Sequence, residues 1–349
     1  MSLPSPTAPP PLPDAPLPTL GTLSSRWQPP ADAERAITTH TGAPLPPNLV
    51  YLGSPPEEIG AVRTAYSNIT SEKGIDGQVG KRLGGAGGGF ALGVVLVLYV
   101  GFRGGTSWMP GGLIPWCIIA GVIGAIIGYI ASKPKYETNY VGEQGVASYQ
   151  YGDKNQHIKS AGIFPFERGA ALNVAQTNRH YRGTYQGTDY AFVWKDAAGK
   201  PVHTVKGSHK SKEGLPPGEH HFYFAAAAER AWSLYLLPEL RARAWHGQSV
   251  TFPITGKGAL TVSRDGINIH IGGKDEFVPR NNIGNLAIKA GQVTIARKDF
   301  KAGVLGFGKD GIYSFPYASL SNARLFLALV AEVVEQDAPQ VDAVRSVAA

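Results

Sequence analysis

The most apolar part of the chain is FALGVVLVLYVGFRGGTSWMPGGLIPWCIIAGVIGAIIGYIA, residues 90–131, and its only charged side chain is Arg103. Two runs, 83–102 and 113–131, are each close to the roughly 20 apolar residues that cross a 30 Å hydrocarbon core. Backbone groups in lipid must be hydrogen bonded internally, so both runs are expected to be helices. The sequence therefore predicts a transmembrane hairpin over residues 83–131, in preference to a buried hairpin of a soluble protein.

Small residues recur every four positions on both predicted spans. They are Gly85, Gly89 and Gly93 on the first span and Ala120, Gly124 and Gly128 on the second. This spacing lets helix backbones approach closely. We expect these faces to pack on each other or on a neighbouring chain, so the spacing is compatible with a homo-oligomer as well as with a monomer.

Basic residues flank the hairpin unevenly. Lys81 and Arg82 precede the first span, Lys133 and Lys135 follow the second, and the connecting loop has only Arg103. By the positive-inside rule, this asymmetry predicts an inner or plasma membrane protein with both termini in the cytoplasm.

The rest of the chain has the composition of a soluble protein. Residues 1–132 carry seven basic and seven acidic side chains, so the whole net charge of +7 lies in residues 133–349. A positive domain beside a membrane suits an anionic lipid surface, although so mild an excess also suits an ordinary soluble domain. The single cysteine, Cys117, excludes an internal disulfide.

Proline dominates the N-terminal part, because residues 1–56 hold 15 of the 27 prolines. Proline blocks helix and sheet propagation, which predicts a disordered tail over 1–56. The spacing in PPPLPDAPLP, residues 9–18, suits an aromatic groove on a protein partner, and a plain spacer is the alternative. Residues 57–82 are predicted to be a juxtamembrane segment with one short helix over 56–68.

After residue 136, apolar and polar residues alternate between clusters of Gly, Asp and Asn. Examples are GTYQGTDYAFVWKDAAGK and LTVSRDGINIHIGGK. Alternation at period two with such punctuation indicates half-buried strands joined in hairpins. Helical spacing over 222–244 and 317–335 predicts two helices, and Pro238 is expected to kink or end the first.

The order of these segments repeats along the chain. GVASYQYG resembles GINIHIGG, and FAAAAERAWSLYLL corresponds to YASLSNARLFLALV. We predict two units, 136–247 and 248–336, each a run of strands closed by one C-terminal helix, before a flexible tail over 337–349. The fold class is therefore α+β, with one large β-rich domain carrying two helices as the alternative.

Several antiparallel strands followed by one capping helix resemble a pleckstrin-homology-like unit. The region also resembles an uncharacterised bacterial membrane-anchored family through HYRGTYQGTDYAFVW at His180–Trp194 and AAERAW at Ala227–Trp232. The resemblance covers about 140–334. It implies tandem pleckstrin-homology-like β-barrel or sheet units and no known activity.

No pattern of catalytic or metal-ligating residues is present in the sequence. His220 and His221 are adjacent and would point to opposite faces of a strand, or cap a helix or lie at the surface near a helix start. His203 and His209 lie among lysines, which oppose cation binding. No zinc-protease, nucleophile-elbow or phosphate-loop motif occurs. We predict no enzymatic activity, no cofactor, no metal and no nucleic-acid partner.

The strongest functional candidate is the basic run over residues 200–212, since each lysine near an anionic leaflet contributes about 1 kcal/mol. A solvated turn is the alternative. The predicted headgroup contacts are Lys200, Lys206, Lys210 and Lys212, extended by Arg179, Arg182, Arg297, Lys298 and Lys301.

These features predict a membrane-anchored, non-enzymatic adaptor or scaffold. Its cytoplasmic module would bind protein partners or anionic lipid headgroups. The alternative is an oligomeric membrane subunit, such as a pore or a transporter accessory, assembled through the glycine-rich helices. Against that alternative, the spans lack the ionisable residues that transport pathways usually carry.

Overall fold

The computed structural model describes residues 26–30, 37–69, 79–105, 112–131, 136–151, 158–211, 215–216, 218–300 and 311–335. Over these residues the chain is α+β, with four α-helices and antiparallel sheets that do not close into a barrel. The helices are α1 Val79–Gly104, α2 Leu113–Ala131, α3 His221–Trp245 and α4 Ala323–Glu335. The predicted tail over 337–349 lies outside the described residues.

The strands of the described ranges form five sheets in which every neighbouring pair is antiparallel. A two-stranded sheet contains β1 Arg26–Trp27 and β2 Tyr51–Leu52. The first large sheet contains β3 Val62–Ser67, β4 Tyr136–Gly142, β5 Gly145–Tyr151 and β6 Ile158–Pro165, and the next contains β7 Ala171–Tyr181, β8 Thr184–Lys195 and β9 Pro201–His209. The last two contain β10 Val250–Ile254, β11 Gly258–Ser263, β12 Gly266–Ile271 and β13 Lys274–Pro279, then β14 Ile283–Lys289, β15 Gln292–Arg297 and β16 Ile312–Pro316.

The two apolar helices α1 and α2 lie where the sequence predicts them. Both are long and apolar enough to cross a membrane. Their bulky side chains are exposed, with Leu92 at 73% and Ile114 at 74%, which is typical of a surface solvated by lipid. The two helices pack side by side as a hairpin.

This hairpin is inserted between two hydrogen-bonded strands. β3 precedes α1, β4 follows α2, and Ser67 pairs with Thr138. The predicted helix over 56–68 is therefore wrong, since that segment forms a 3-10 turn at Glu57–Ile59 and then β3. The first large sheet thus begins before the hairpin and not at residue 136.

Residues 37–56 pack against the first large sheet, so the predicted disordered tail is wrong for this segment. Ile37, Tyr51 and Leu52 are each at most 4% exposed and join the tyrosines of β4 and β5 in one core. The Tyr140 hydroxyl donates to the Gly53 carbonyl at 2.7 Å. Burial of aromatic side chains here offsets the entropy cost of ordering the chain. The proline-rich composition was expected to leave that cost uncompensated. Residues 1–25 and 31–36 lie outside the described part of the chain.

Four strands, three strands and a helix then occur twice in the same order. The first set is β3–β6, β7–β9 and α3, with a core that includes Trp194 and Trp232, and the second is β10–β13, β14–β16 and α4, with a core that includes Phe252 and Phe326. Helix α3 continues through Pro238 to Trp245.

The helix ends differ slightly from the predictions. Pro238 has no N–H group, so the carbonyl of Leu234 lacks its usual helical hydrogen bond. Because Leu234 is 68% exposed, water can satisfy that carbonyl and α3 can continue. The second predicted helix starts with a separate 3-10 turn at Tyr317–Ser319, and α4 itself begins at Ala323.

Asn322 connects the two sets. Its Oδ1 accepts from the Leu172 N–H at 2.8 Å and from Trp232 Nε1 at 2.9 Å, and its Nδ2 donates to the Ala170 carbonyl at 3.2 Å. Its own N–H donates to the Leu172 carbonyl at 2.7 Å. With a φ of 54°, Asn322 occupies the left-handed region, which asparagine tolerates better than most residues. One residue therefore ties β7 and α3 to the start of α4.

Candidate functional site

The small residues predicted for helix packing lie at the contact between α1 and α2. A Cβ added at Gly89 would collide with the carbonyl oxygen of Gly124, and one added at Gly128 would collide with that of Gly85. Gly93 lies equally close to the carbonyl of Ala120. The small-residue faces of α1 and α2 therefore pack against each other within one chain.

A cation and an aromatic ring pair at each end of the hairpin. The Arg82 guanidinium lies 5.5 Å from the Tyr129 ring centroid, and that of Arg103 lies 5.3 Å from the Tyr99 centroid. The two arginines are 21 residues apart on α1, which corresponds to about 31 Å of helix. This length matches the hydrocarbon core, and tyrosines are enriched at both of its boundaries.

The predicted basic residues do not form one patch. Lys206 is exposed on the outer face of β9, opposite to the face that buries Val205 and His209, and the exposed Lys210 directly follows the strand. Lys200 lies at the other end of the β8–β9 hairpin, six residues from Lys206 and so about 20 Å away. Lys212 and Lys301 lie outside the described residues.

Arg179 joins Lys210 on this outer face. Arg179 Nη2 and Lys210 Cγ lie 3.3 and 3.6 Å from the position that a Cβ at Gly187 would occupy, on the strand between them. Asp189 forms an ion pair with Arg179, with 3.0 Å between Nε and Oδ2. Lys206 and Lys210 therefore supply most of the uncompensated positive charge of this face.

Arg182 lies at the tip of the β7–β8 hairpin beside an exposed aromatic ring. Its guanidinium is 5.3 Å from the ring centroid of Tyr181, which is 62% exposed. An exposed tyrosine next to a cation is suited to the headgroup layer of a bilayer. Sequence reasoning missed Tyr181, because the headgroup prediction considered only lysines and arginines.

The second set adds little charge to this surface. Arg297 forms a bidentate pair with Asp299 and contacts Glu276 at 2.6 Å, so two carboxylates compensate its charge. The hydrogen bonds from the Arg297 guanidinium hold the pKa of Asp299 down to about 2. Lys298 is exposed beside this cluster. Arg297 is therefore unsuited to the headgroup role that the sequence predicted for it.

Strand β4 begins close to the point where the chain leaves α2. Five residue steps from Ala131 to Tyr136 span at most about 18 Å. Burial, with the Glu137 carboxylate of β4 as a further cause, raises the pKa of Tyr190 on β8 to about 12. Tyr190 pairs in register with Gly207, between Lys206 and Lys210.

Several histidines surround the start of α3 without forming a metal site. The His220 side chain caps this helix by accepting a hydrogen bond from the Phe222 N–H at 3.1 Å. A helix cap was one of the roles that the sequence predicted for this residue. Burial lowers the pKa of His40 to about 3 and that of His203 to about 4, with nearby His221 as a further cause. Within the described ranges, no group of three His, Cys, Asp or Glu side chains is arranged to hold a metal ion.

Comparison with known proteins found no protein-family model and no curated protein that matches the chain. The resemblance to an uncharacterised bacterial family, drawn from the HYRGTYQGTDYAFVW and AAERAW segments, therefore stays a prediction.

Proposed function

We propose that the protein is a membrane-anchored, non-enzymatic adaptor whose cytoplasmic module binds anionic lipid headgroups and protein partners. The observation that carries this proposal is the insertion of the apolar hairpin between the paired strands β3 and β4. An anchor built into a sheet restrains the module's orientation at the bilayer far more than a flexible linker would.

The strand pairing also bears on topology. Ser67 and Thr138 are neighbours in one sheet, so the two ends of the hairpin lie on the same side of any bilayer that it crosses. The basic residues that flank the hairpin favour the cytoplasmic side of an inner or plasma membrane.

Two pleckstrin-homology-like units are the architecture that we propose for the module. Four strands, three strands and a closing helix, present twice, support this assignment. The first unit would then begin at β3 and contain the hairpin as an insertion. Each set has a core cluster of its own, which favours two units over one large β-rich domain, although the C-terminal half of α3, including Ala244, packs into the cluster of the second set.

Lys206 and Lys210 are the residues that we propose for headgroup binding, with Arg182 and Tyr181 entering the interface beside them. Each lysine contributes about 1 kcal/mol near an anionic leaflet. Salt weakens this attraction, with a screening length of about 10 Å at 0.1 M. Anchoring raises the local concentration of the module at the membrane, so such weak contacts suffice. Within the predicted tail, residues 9–18 remain our candidate for a protein partner.

The alternative of a pore or transporter subunit loses its main support. The small residues that suggested oligomerisation are already in contact across α1 and α2 of one chain. The outer surfaces that remain, exemplified by Leu92 and Ile114, are bulky and apolar and suit lipid.

The headgroup proposal can be tested on the full chain in lipid nanodiscs. Cys117→Ser removes the only cysteine, and Ser208→Cys places a fluorophore on the outer face of β9 between the two lysines. Energy transfer to labelled headgroups should be stronger with anionic than with zwitterionic lipid and should fall with added salt.

The matched pair of variants is Lys210→Glu and Lys200→Glu, because both reverse one exposed lysine on the same β-hairpin. We expect only Lys210→Glu to reduce the transfer in anionic nanodiscs. Equal transfer with both lipids, or an equal effect of both variants, would contradict headgroup binding by this face.

A further inference from the structure

A cleft of about 670 Å³ lies between the two sets of sheets. One wall comes from β7 and includes Gln176 and Asn178, and the other comes from the β14–β15 turn and the 3-10 turn at Tyr317. Val174 and Ile288 add apolar surface. This volume is within the range of small-molecule sites, and a few polar groups among apolar ones are typical of them.

Glu229 of α3 is the buried acid of this cleft. The residue is 8% exposed, and its Oε1 accepts from the Tyr317 hydroxyl at 3.0 Å. Among the described residues, no other hydrogen bond reaches the carboxyl group and no basic side chain forms an ion pair with it. The guanidinium of Arg230, the nearest cation in sequence, instead donates to the His40 carbonyl at 3.2 Å.

An unpaired carboxylate in such a place is costly, because burial disfavours the charged form. Burial accordingly raises the pKa of Glu229, while Arg324 on α4, the Tyr317 hydroxyl and Arg230 on α3 oppose that rise. The cleft therefore holds a carboxyl group with a tendency to keep its proton. A cation that paired with Glu229 would remove this cost.

We propose that the cleft binds a small organic cation, a primary amine or a guanidinium on a short aliphatic chain, with Glu229 as its counter-ion. The Tyr317 hydroxyl and the Gln176 amide lie where they can add hydrogen bonds, and Val174 and Ile288 suit the aliphatic part. Binding would replace the carboxyl proton by the cation and release that proton to solvent. Because both sets of sheets line the cleft, an occupant would also link them.

The test is isothermal titration of the full-length protein in detergent micelles with agmatine and cadaverine. We expect saturable binding of at least one of them at one site per chain, and no binding of the neutral 1,5-pentanediol. Affinity should rise as pH increases, since deprotonated Glu229 is the binding form. Titrations in two buffers of different ionisation enthalpy should show proton release.

Two variants assign the binding to the cleft. Glu229→Gln keeps an acceptor for Tyr317 and should weaken binding at least tenfold, whereas Glu239→Gln, an exposed position on the same helix, should not. Gln176→Trp should also abolish binding, because it fills the cleft from an exposed position and keeps Glu229. If Glu229→Gln fails to fold, the loss of binding in Gln176→Trp tests by itself whether the cation binds in the cleft.

Absence of saturable binding of both cations, or equal affinity in the wild type and in the folded variant, would overturn the proposal. These measurements involve no lipid headgroup. Their failure would therefore leave the adaptor proposal untouched, and failure of headgroup binding would leave the cleft untouched.

Discussion

Replacing Asn322 by alanine should destabilise the protein more than almost any other single change outside the cores. The substitution removes three side-chain hydrogen bonds, to Leu172, Trp232 and Ala170. Leu172 and Trp232 are 2% and 0% exposed, so water cannot replace the lost acceptor for their N–H groups without rearrangement. The change therefore removes the side-chain part of the tie between the two sets of sheets, and only the backbone bond from residue 322 to the Leu172 carbonyl remains at this point.

The expected loss can be estimated from these contacts. Each buried donor left unsatisfied costs about 1–2 kcal/mol, and alanine at positive φ adds about 1 kcal/mol. Asn322→Ala should thus lower the free energy of unfolding by about 3–5 kcal/mol. Asn322→Gly avoids the backbone strain and should cost less, while Asn322→Asp keeps the shared acceptor oxygen and should cost about 1 kcal/mol.

Urea unfolding of the full chain in detergent, followed by tryptophan fluorescence, measures these differences. Asn285→Ala is the matched control, because Asn285 is exposed on β14, and it should stay within about 0.5 kcal/mol of wild type. An Asn322→Ala protein as stable as this control would refute the assignment of Asn322 as the tie between the two sets.

Three further predictions concern the hairpin and the histidines. Replacing 70–135 with a short Gly-Ser turn should give a soluble protein with sharp amide NMR dispersion, whereas the fragment 136–349 lacks β3 and should aggregate. Gly124→Leu should lower the melting temperature in detergent by several degrees, because its side chain collides with α1, while Ile123→Leu on the exposed face should not. Folded His40 has a pKa of about 3, and unfolded His40 one near 6.5, so its protonation alone should remove about 2–3 kcal/mol of stability as pH falls from 6.5 to 4.5. His40→Asn should reduce the loss measured in urea titrations by this amount, while buried His203 keeps part of the slope; an unchanged slope would contradict the argument.

Composition and periodicity were sufficient to predict the apolar hairpin and the two later helices. A run with one charge in 42 residues has few alternatives, and α3 and α4 carry local helical spacing that does not depend on distant partners. Strand β3 was missed for the opposite reason. Its partner β4 is separated from it by the whole hairpin, so its short, weakly alternating pattern carries no local sign of the pairing.

The candidate sites were harder to predict, because spacing along a strand is not proximity in space. Lys200 and Lys210 belong to one basic run in the sequence, yet they lie at opposite ends of β9. Glu229 gave no signal within its alanine-rich helix, since its importance depends on Tyr317, 88 residues later. Arg297 looked available although Asp299 is two residues away, because spacing alone does not show that the two form a bidentate pair or that Glu276 of another strand joins them.

The position of the hairpin also imposes an order on biogenesis. Strand β3 is synthesised before both spans and β4 after them, so the first large sheet can be completed only when the second span has brought the chain back. In the proposed topology, a chain whose second span failed to return would keep β3 and β4 on opposite sides of the bilayer. Under that proposal, completion of this sheet would act as a built-in check on correct membrane insertion.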